Sequence, residues 1–480
     1  MYGIAGRYLG LAVLLACSVA ATANAEFAGR WEGEIALPTG ALQVMVDLIP
    51  PADPARGWTG SIDIPAQGAF GLALVEIAID DRRARFSIAG VPGNPTFDGL
   101  LRDGELRGQF SQGAAKLEFR LGREAVVPVR RPQDPASSVP YREEEVTYTN
   151  GDVTLAGTLT LPPGGGPFPA AVLITGSGPQ NRDEELFNHR PFLVLADHLT
   201  RRGIAVLRSD DRGVGGSSGD VASATSADFA ADVLAGIELL ARRADISAGR
   251  VGVIGHSEGG LVGPLAAAQS DAVAFVVMLA GPGVPGSEIL ARQTQLMALA
   301  AGGDPATVEK QVGLVRQIVD LTTHGVDGPE LRQRLLGLAM QQLELGGAAA
   351  REAVGDEPEK ALKQQIDQLL TPWFRYFLAY DPRPTLERVS VPVLALNGEL
   401  DLQVDAEQNI PAVEAALEAG DNQDATTHRL PELNHLFQHA TTGAVTEYGQ
   451  IEETMAPEVL DLIGDWIVER FVASSASAGR

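Results

Sequence analysis

The segment from residue 27 to about residue 122 alternates hydrophobic and polar positions, the period of two that is typical of half-buried β-strands. Glycine, proline and aspartate separate the alternating runs, of which the clearest are residues 41–49, 70–78, 84–88 and 116–121. Short strands with turn residues at this spacing predict a small all-β barrel or sandwich. We place this N-terminal all-β domain at residues 26–125, and we favour a structural or docking role for it over ligand binding.

From residue 143 the pattern changes to short apolar runs separated by segments with helical periodicity. The apolar runs are residues 170–174, 204–207, 251–254, 275–279 and 391–396. The helical segments are residues 191–202, 227–243 and 457–472. Such alternation is typical of a doubly wound α/β sheet. A linker rich in proline and charge, residues 126–142, separates this sheet from the β domain.

About 110 residues lie between the fourth and fifth of these apolar runs, far more than a crossover connection needs. Much of the interval is glutamine, leucine, alanine and glutamate at helical spacing, which predicts an inserted helical cap over residues 285–385. The two core segments on either side of the cap are residues 143–284 and 386–472. The aromatic end of the cap offers Phe374, Tyr376 and Phe377 as candidates for lining a substrate pocket, with packing in the interior of the cap as the alternative.

A serine lies at the junction of a predicted strand and a predicted helix, in the motif Gly255-His256-Ser257-Glu258-Gly259. In a G-x-S-x-G turn the glycines permit close backbone approach, and the serine hydroxyl is exposed at the positive end of a helix. The same pattern occurs around Ser217, but there a polar stretch follows it in place of a helix. We therefore expect Ser257 to be the nucleophile and Ser217 to be a loop residue.

A serine hydroxyl is a weak nucleophile unless a histidine takes its proton and an acidic residue orients that histidine. Asp401 follows the apolar run at 391–396, and His435 follows the last predicted strand, residues 429–433. Both positions fall at the carboxyl ends of strands, where open α/β sheets place their sites. The chain order Ser257, Asp401, His435 is the order expected of a fold with this serine turn. The alternatives are His256, His428 and His439 for the base, and Glu399 and Asp405 for the acid.

An acyl-transfer site also needs two N–H donors for the negative charge that develops on the substrate oxygen. The first expected donor is the backbone N–H of Glu258, directly after the nucleophile at a helix start. The second is expected from the glycine-rich turn that follows residues 170–174, where Ser177 is the first choice and Gly178 the second. A plain strand-to-loop turn is the alternative interpretation of that segment.

Four motifs together resemble the α/β-hydrolase superfamily, and in particular its bacterial carboxylesterases; they are residues 176–183, 211–217, 255–260 and 433–437. The resemblance covers residues 143–472. It implies a serine carboxylesterase in which Ser257, Asp401 and His435 hydrolyse short to medium acyl esters through an acyl-serine intermediate. The motifs also resemble relatives of the prolyl oligopeptidases, so a serine peptidase or aminoacyl hydrolase is an alternative. A second alternative is a non-catalytic exported binding protein on a hydrolase scaffold.

Residues 1–25 have the pattern of a secretory signal peptide: Arg7, an apolar run at 9–16, and a small-residue cleavage site that ends at Ala25. We therefore expect an exported protein, periplasmic or extracellular. The single cysteine, Cys17, lies in this segment. Residues 14–17 also resemble a lipoprotein box, and in that alternative Cys17 would carry a lipid anchor.

The formal net charge of −25 argues against partners that need a basic surface, namely nucleic acids and anionic membranes. No later apolar stretch approaches the ~20 residues of a membrane-spanning helix. Because the single cysteine lies in the signal segment, the rest of the chain offers no disulfide and no thiolate metal site. We expect a small-molecule ester as the partner, no cofactor and no metal, and a disordered tail at residues 473–480.

Overall fold

The computed structural model describes residues 26–472, apart from 38–39, 52–56, 65–68, 81, 90, 92, 114, 124–130, 137, 348–349 and 352–357. The predicted signal peptide with Cys17, the first part of the predicted linker and the predicted tail lie outside the described residues. The chain forms two compact units: an all-β unit that also includes residues 346–365, and a second unit formed by the remaining residues from 129 onwards. Among the described helices, none combines the length and the hydropathy of a membrane-spanning segment.

The first unit contains eight antiparallel strands that close into a barrel, because β1 pairs with both β2 and β8. The strands are β1 Gly29–Leu37, β2 Gly40–Ile49, β3 Thr59–Ile64, β4 Ala69–Asp80, β5 Arg83–Ile88, β6 Thr96–Arg102, β7 Glu105–Gln112 and β8 Ala115–Gly122. Of the two predicted architectures, barrel or sandwich, the structure therefore forms the barrel. Closure leaves no open strand edge on this sheet.

Aromatic side chains fill the interior of the barrel. The ring centroid of Phe97 lies 5.0 Å from that of Phe86, 4.9 Å from that of Phe110 and 5.0 Å from that of Phe119. Aromatic pairs attract one another at these separations. Trp31 belongs to the same buried cluster, and its indole N–H donates to a backbone carbonyl at 2.9 Å. The barrel therefore has a packed hydrophobic core of its own.

The second unit is built on an eight-stranded sheet in the order β16-β15-β14-β13-β11-β12-β10-β9. The strands are β9 Arg142–Asn150, β10 Val153–Leu161, β11 Phe168–Ile174, β12 Ala205–Ser209, β13 Ile246–His256, β14 Val276–Leu279, β15 Val393–Gly398 and β16 Ala425–Leu430. The strands from β16 to β12 are parallel, and β10 and β9 add an antiparallel edge. Parallel pairing places the loops after β11, β13, β15 and β16 at one edge of the sheet.

Helices cover both faces of this sheet. The α-helices described along the whole chain are α1 Pro191–Arg201, α2 Ser226–Ala241, α3 Gly259–Ala267, α4 Gly286–Ala300, α5 Pro305–His324, α6 Pro329–Leu345, α7 Pro358–Leu369, α8 Pro372–Ala379, α9 Arg383–Leu386, α10 Ala406–Ala419, α11 Val445–Tyr448 and α12 Pro457–Ile467. Residues 358–365 of α7 belong to the first unit, and a π-helix, Val468–Val472, follows α12. Residues of α2, α3 and α10 share one buried cluster with the strands, and residues of α1 and α12 share the other. The sheet is therefore the middle of three layers.

The helices from α4 to α9 lie between β14 and β15, in the interval where the sequence predicts an inserted cap. Local sequence fixes the starts of two of them. Asp304 accepts a hydrogen bond from Thr307 N at 2.9 Å before α5, and Thr371 caps α8; each is followed by proline. A capping side chain followed by proline is typical of a helix start. The predicted fold class, a doubly wound sheet with a helical cap after an all-β barrel, is confirmed.

The last strand lies earlier than predicted, at Ala425–Leu430 in place of residues 429–433. It is the edge strand and pairs with β15 alone. Its side chains are half-buried or exposed, so threonine, histidine and arginine occupy it without cost. This strand therefore lacks the apolar run that marks the other parallel strands of the sheet.

Candidate active site

Ser257 occupies the turn between β13 and α3, where its φ of +54° lies in the left-handed region that a non-glycine residue rarely adopts. Its N–H donates to the carbonyl of Leu279 on β14 at 2.8 Å. A Cβ atom on Gly255 would lie 1.9 Å from the carbonyl oxygen of Gly259, and one on Gly259 would lie 2.2 Å from that of Ile174. Glycine at both positions therefore permits the close backbone packing that this turn requires.

Asp401 and His435 form a hydrogen-bonded pair at the same edge of the sheet, in the loops after β15 and β16. The His435 Nδ1 and Asp401 Oδ2 atoms are 2.7 Å apart, and the two residues are 5% and 1% exposed. The carboxylate also accepts from the backbone N–H groups of Gln403 and Val404, at 2.8 and 2.9 Å, and from the Asn397 amide at 3.1 Å. Because a carboxylate can only accept, His435 carries its proton on Nδ1, and its Nε2 is free to act as a base.

The structure also brings the Ser257 turn and the His435 loop together. The ring of His256, the residue before the serine, lies 4.8 Å from the His435 ring between centroids, and its Nε2 is 2.9 Å from the His435 carbonyl oxygen. Within the described residues, the Ser257 hydroxyl makes no hydrogen bond with the His435 ring. Apo active sites often complete this contact only when substrate binds.

The other candidate bases and acids have different contacts. His428 is exposed on β16, and His439 lies between two glutamates at 2.9 and 3.0 Å. Asp405 caps α10 and pairs with an arginine at 2.7 Å, whereas Glu399 is exposed. The Ser217 hydroxyl donates to a backbone carbonyl at 2.8 Å inside a loop. Across the part of the chain that the structure describes, no three His, Cys, Asp or Glu side chains are grouped in the manner of a metal site.

The expected N–H donors belong to the turn after β11 and to the residue that follows Ser257. A Cβ atom on Gly176, at the start of that turn, would lie 3.2 Å from the Cβ of Ser257, so the turn lies against the nucleophile. Gly176, Gly178 and Glu258 also line a cavity of about 60 Å³, whose lining does not include Ser257 or His435. The Gly176 N–H is already bound to the Glu184 carboxylate at 2.8 Å. The N–H groups of Ser177, Gly178 and Glu258 have no acceptor among the described residues. No described acceptor therefore competes with an oxyanion for these N–H groups, and their role as oxyanion donors stays a prediction.

Asp211 holds both ends of the turn that carries Ser177 and Gly178. It accepts from the Thr175 hydroxyl at 2.7 Å and from the Gln180 N–H at 2.9 Å. The motif at residues 211–217 therefore supports the turn, because a carboxylate bound at two points limits how far the backbone between them can move.

The Glu258 side chain joins the nucleophile turn to the cap. It is 3% exposed and accepts from the Ser226 hydroxyl at 2.6 Å and from the Trp373 indole N–H at 3.0 Å. Ser226 begins α2 of the core and Trp373 lies on α8 of the cap. Burial raises the pKa of the Glu258 carboxyl, although these hydrogen bonds act in the opposite direction.

Replacing Glu258 by glutamine is expected to change how stability depends on pH. The pKa of this carboxyl is higher in the folded protein than the unfolded value of 4.5, so the folded protein binds the proton more tightly. The contribution of Glu258 to the free energy of unfolding therefore falls as the pH rises from 4.5 through the folded-state pKa. Glu258→Gln removes that contribution, and its Oε1 can still accept from Ser226 and Trp373. The thermal unfolding midpoint of the wild type, relative to the variant, should therefore fall as the pH rises above 4.5; a constant difference would contradict the raised pKa.

The three aromatic candidates for a substrate pocket lie in the cap. Phe374 and Phe377 pack against a buried aliphatic cluster of the cap, and the Tyr376 ring stacks on Tyr380 with centroids 5.2 Å apart. Trp373, one position earlier, is the aromatic residue that reaches the nucleophile turn, through Glu258. The sequence carries no signal for this contact beyond the aromatic composition of the segment, because the two partners are 115 positions apart.

Comparison with known proteins adds a family to this geometry. The family profile described as X-Pro dipeptidyl-peptidase (S15 family) matches residues 150–439. Esterase EstD of Thermotoga maritima is 33% identical over 217 residues, which are 45% of this chain and 48% of that protein, so the chain spans about half the length of this relative.

The solved structures that the chain resembles are more distant in sequence. The Pyrococcus furiosus esterase Pf2001 has 15% identity and a TM-score of 0.42 over 72% of this chain and 97% of that chain. Est1E from Butyrivibrio proteoclasticus has 15% identity and a TM-score of 0.37 over 68% of this chain and 98% of that chain. The S15 match, in contrast, spans more than half of the sequence and includes Ser257, Asp401 and His435. The chain belongs to the X-Pro dipeptidyl-peptidase (S15) family of α/β-hydrolases.

Proposed function

We propose that the protein is a serine carboxylesterase that hydrolyses short to medium acyl esters through an acyl-serine intermediate. The observation that carries this proposal is the buried Asp401–His435 pair, whose carboxylate accepts from four donors and leaves the histidine Nε2 free, beside the strained turn of Ser257. A base oriented in one tautomer next to a serine is the arrangement that nucleophilic catalysis on carbonyl carbon needs.

In the proposed reaction, the Ser257 hydroxyl attacks the ester carbonyl while His435 Nε2 takes its proton. The negative charge on the former carbonyl oxygen is bound by the N–H of Glu258 and by that of Ser177 or Gly178. The tetrahedral intermediate collapses as His435 returns the proton to the departing alcohol, which leaves an acyl-serine. Water then attacks the acyl carbon while His435 takes its proton; the bond to the Ser257 oxygen breaks, the histidine returns the proton to that oxygen, and the carboxylic acid leaves.

Ester hydrolysis is favoured over dipeptide release by two observations. The relative at 33% identity is named an esterase. A dipeptidyl-peptidase also has to bind the protonated amino terminus of its substrate, and two carboxyls beside this site already have internal partners. Glu184 is bound to Gly176 and His256, and Glu258 is bound to Ser226 and Trp373.

The family description nevertheless keeps the peptidase as the second candidate. The purified protein should hydrolyse p-nitrophenyl acetate with a kcat/KM at least about a hundredfold above that for Gly-Pro p-nitroanilide, because the two carboxyls beside the site are bound internally and are not available to the substrate's ammonium group. The two substrates release related chromophores, so initial rates can be measured in one assay format. Cleavage of the anilide alone would assign the peptidase function, and the Ser257→Ala variant serves as the blank for both substrates.

A further inference from the structure

A second pair of a histidine and a carboxylate, His256 and Glu184, lies next to the proposed catalytic residues. The His256 Nδ1 and Glu184 Oε1 atoms are 2.9 Å apart, and the residues are 7% and 1% exposed. Neither side chain takes part in the reaction as proposed. Burial of ionisable groups costs free energy unless the groups are paired and hydrogen-bonded. The hydrogen bonds of this pair therefore show which segments of the chain it holds in place.

The hydrogen bonds define the charge state of this pair. His256 Nδ1 faces the Glu184 carboxyl and its Nε2 faces the His435 carbonyl oxygen at 2.9 Å. Glu184 Oε1 also accepts from the Gly176 N–H at 2.8 Å. When Glu184 is ionised, both partners of the ring are acceptors, so both ring nitrogens donate and His256 is an imidazolium beside a carboxylate.

The electrostatic environment agrees with this geometry. Burial opposes a charge on His256, but the attraction and hydrogen bond of Glu184, together with the His435 carbonyl, outweigh it and raise the pKa of the imidazole above its usual value. The titratable and charged groups that face this ring are Glu184, His435 and Asp401. The pair therefore keeps its charges at the pH at which a free histidine loses its proton.

Each end of the pair is attached to a different part of the proposed active site. His256 binds the backbone of the His435 loop, and Glu184 binds Gly176, which opens the turn that carries the Ser177 and Gly178 donors. Glu184 itself has a φ of +51°, a left-handed conformation that a residue with a side chain keeps only under structural constraint.

We propose that Glu184 and His256 are positioning residues: an ionised pair that sets the spacing between the base loop and the oxyanion turn. The inference rests on the proposed function, because it assigns the two segments their roles. Loss of the pair would let the two segments separate by a fraction of an ångström. Proton transfer to His435 and binding of the oxyanion both require hydrogen-bond distances, which such a movement would lengthen. We therefore expect kcat to fall more than KM changes.

The test replaces Glu184 by glutamine in the full chain, with Glu185→Gln as the matched control. Glutamine retains an acceptor for Gly176 but no charge for the imidazolium, whereas Glu185 contacts Asn181 and lies outside the pair. With p-nitrophenyl acetate, Glu184→Gln should lower kcat about 10- to 100-fold and change KM by less than about threefold. Glu185→Gln should keep wild-type values. An unchanged kcat in Glu184→Gln would overturn the inference.

A second measurement tests the ion pair without turnover. In ¹⁵N-histidine-labelled wild-type protein at about pH 6.5, where a free histidine is about half deprotonated, NMR should show both ring nitrogens of His256 predominantly protonated. The His256→Gln spectrum assigns the signal, and Glu184→Gln should remove one of the two protons. A neutral His256 in the wild type would overturn the proposed ion pair even if Glu184→Gln failed to fold. Absence of ester hydrolysis by the wild type would contradict the proposed function and leave the NMR result to decide the charge state.

Discussion

Replacing Ser257 by alanine is expected to lower kcat for p-nitrophenyl acetate by roughly five to six orders of magnitude. Without the hydroxyl no acyl-enzyme forms. The oxyanion N–H donors can then assist only a direct attack of water on the ester. His435→Ala should cause a loss of similar size, because serine, base and acid act as one unit and removal of the nucleophile or the base disables it. Steady-state hydrolysis and covalent labelling by a fluorophosphonate measure both changes.

Ser217 provides the matched control, since it also lies in a G-x-S-x-G sequence. Its hydroxyl donates to the Asp210 carbonyl at 2.8 Å and accepts from the Ala156 N–H at 2.9 Å, inside a loop. Ser217→Ala should therefore lower the unfolding temperature slightly and keep both turnover and the fluorophosphonate label. Label on Ser257→Ala, or its loss from Ser217→Ala, would show that the nucleophile has been assigned to the wrong serine. A wild-type protein that takes no label would favour the non-catalytic binding protein.

Asp401→Asn is expected to lower kcat about 10⁴-fold while the protein stays folded. One carboxylate oxygen accepts from the N–H groups of Gln403 and Val404, and the other faces His435 Nδ1. An asparagine that keeps its oxygen on the two backbone donors must turn its NH₂ group towards the histidine. The imidazole then carries its proton on Nε2, where it can no longer take one from the serine.

The pH profile and a second variant separate this effect from general damage. Asp405→Asn removes a neighbouring carboxylate that caps α10 and pairs with Arg292, so it should cost stability and keep turnover. Asp401→Asn should regain activity at high pH, because hydroxide can then take the proton that His435 no longer accepts. A loss in Asp405→Asn that matched the loss in Asp401→Asn would assign the role of the acid to Asp405, four positions later in the same loop.

The sequence predicted the sheet strands and the candidate triad from local patterns. The run at 251–254, the glycines around Ser257 and the helix that follows are a contiguous signal, and the structure places them at the turn between β13 and α3. The sequence predicts edge strand β16 four residues too late in the chain, because its half-buried or exposed polar side chains form no apolar run. Four of the barrel strands, β1, β3, β6 and β7, lie outside the four clearest alternating runs, since glycine, polar or charged residues interrupt their alternation.

The sequence pattern does not predict the contacts of the residues that support the site. Glu184 and His256 are 72 positions apart and Glu258 and Trp373 are 115 positions apart. Such contacts have no period, and a single glutamate or tryptophan is compatible with many environments. His256 shows the difference most clearly: its sequence neighbour marks the nucleophile, yet only the packing of three loops shows that its ring binds a carboxylate and a carbonyl.

The sequence alone determined the order of elements, the all-β start, the inserted helices and the few polar side chains at the carboxyl ends of strands. These follow from periodicity and from backbone requirements, which are properties of neighbouring residues. Tertiary structure alone decided that the β unit closes into a barrel, that Asp401 rather than Asp405 reaches His435, and that a cap tryptophan binds the residue after Ser257. Those outcomes depend on distances between segments that are remote in the chain, and the free energy of such contacts is defined only once the sheet has brought the segments together.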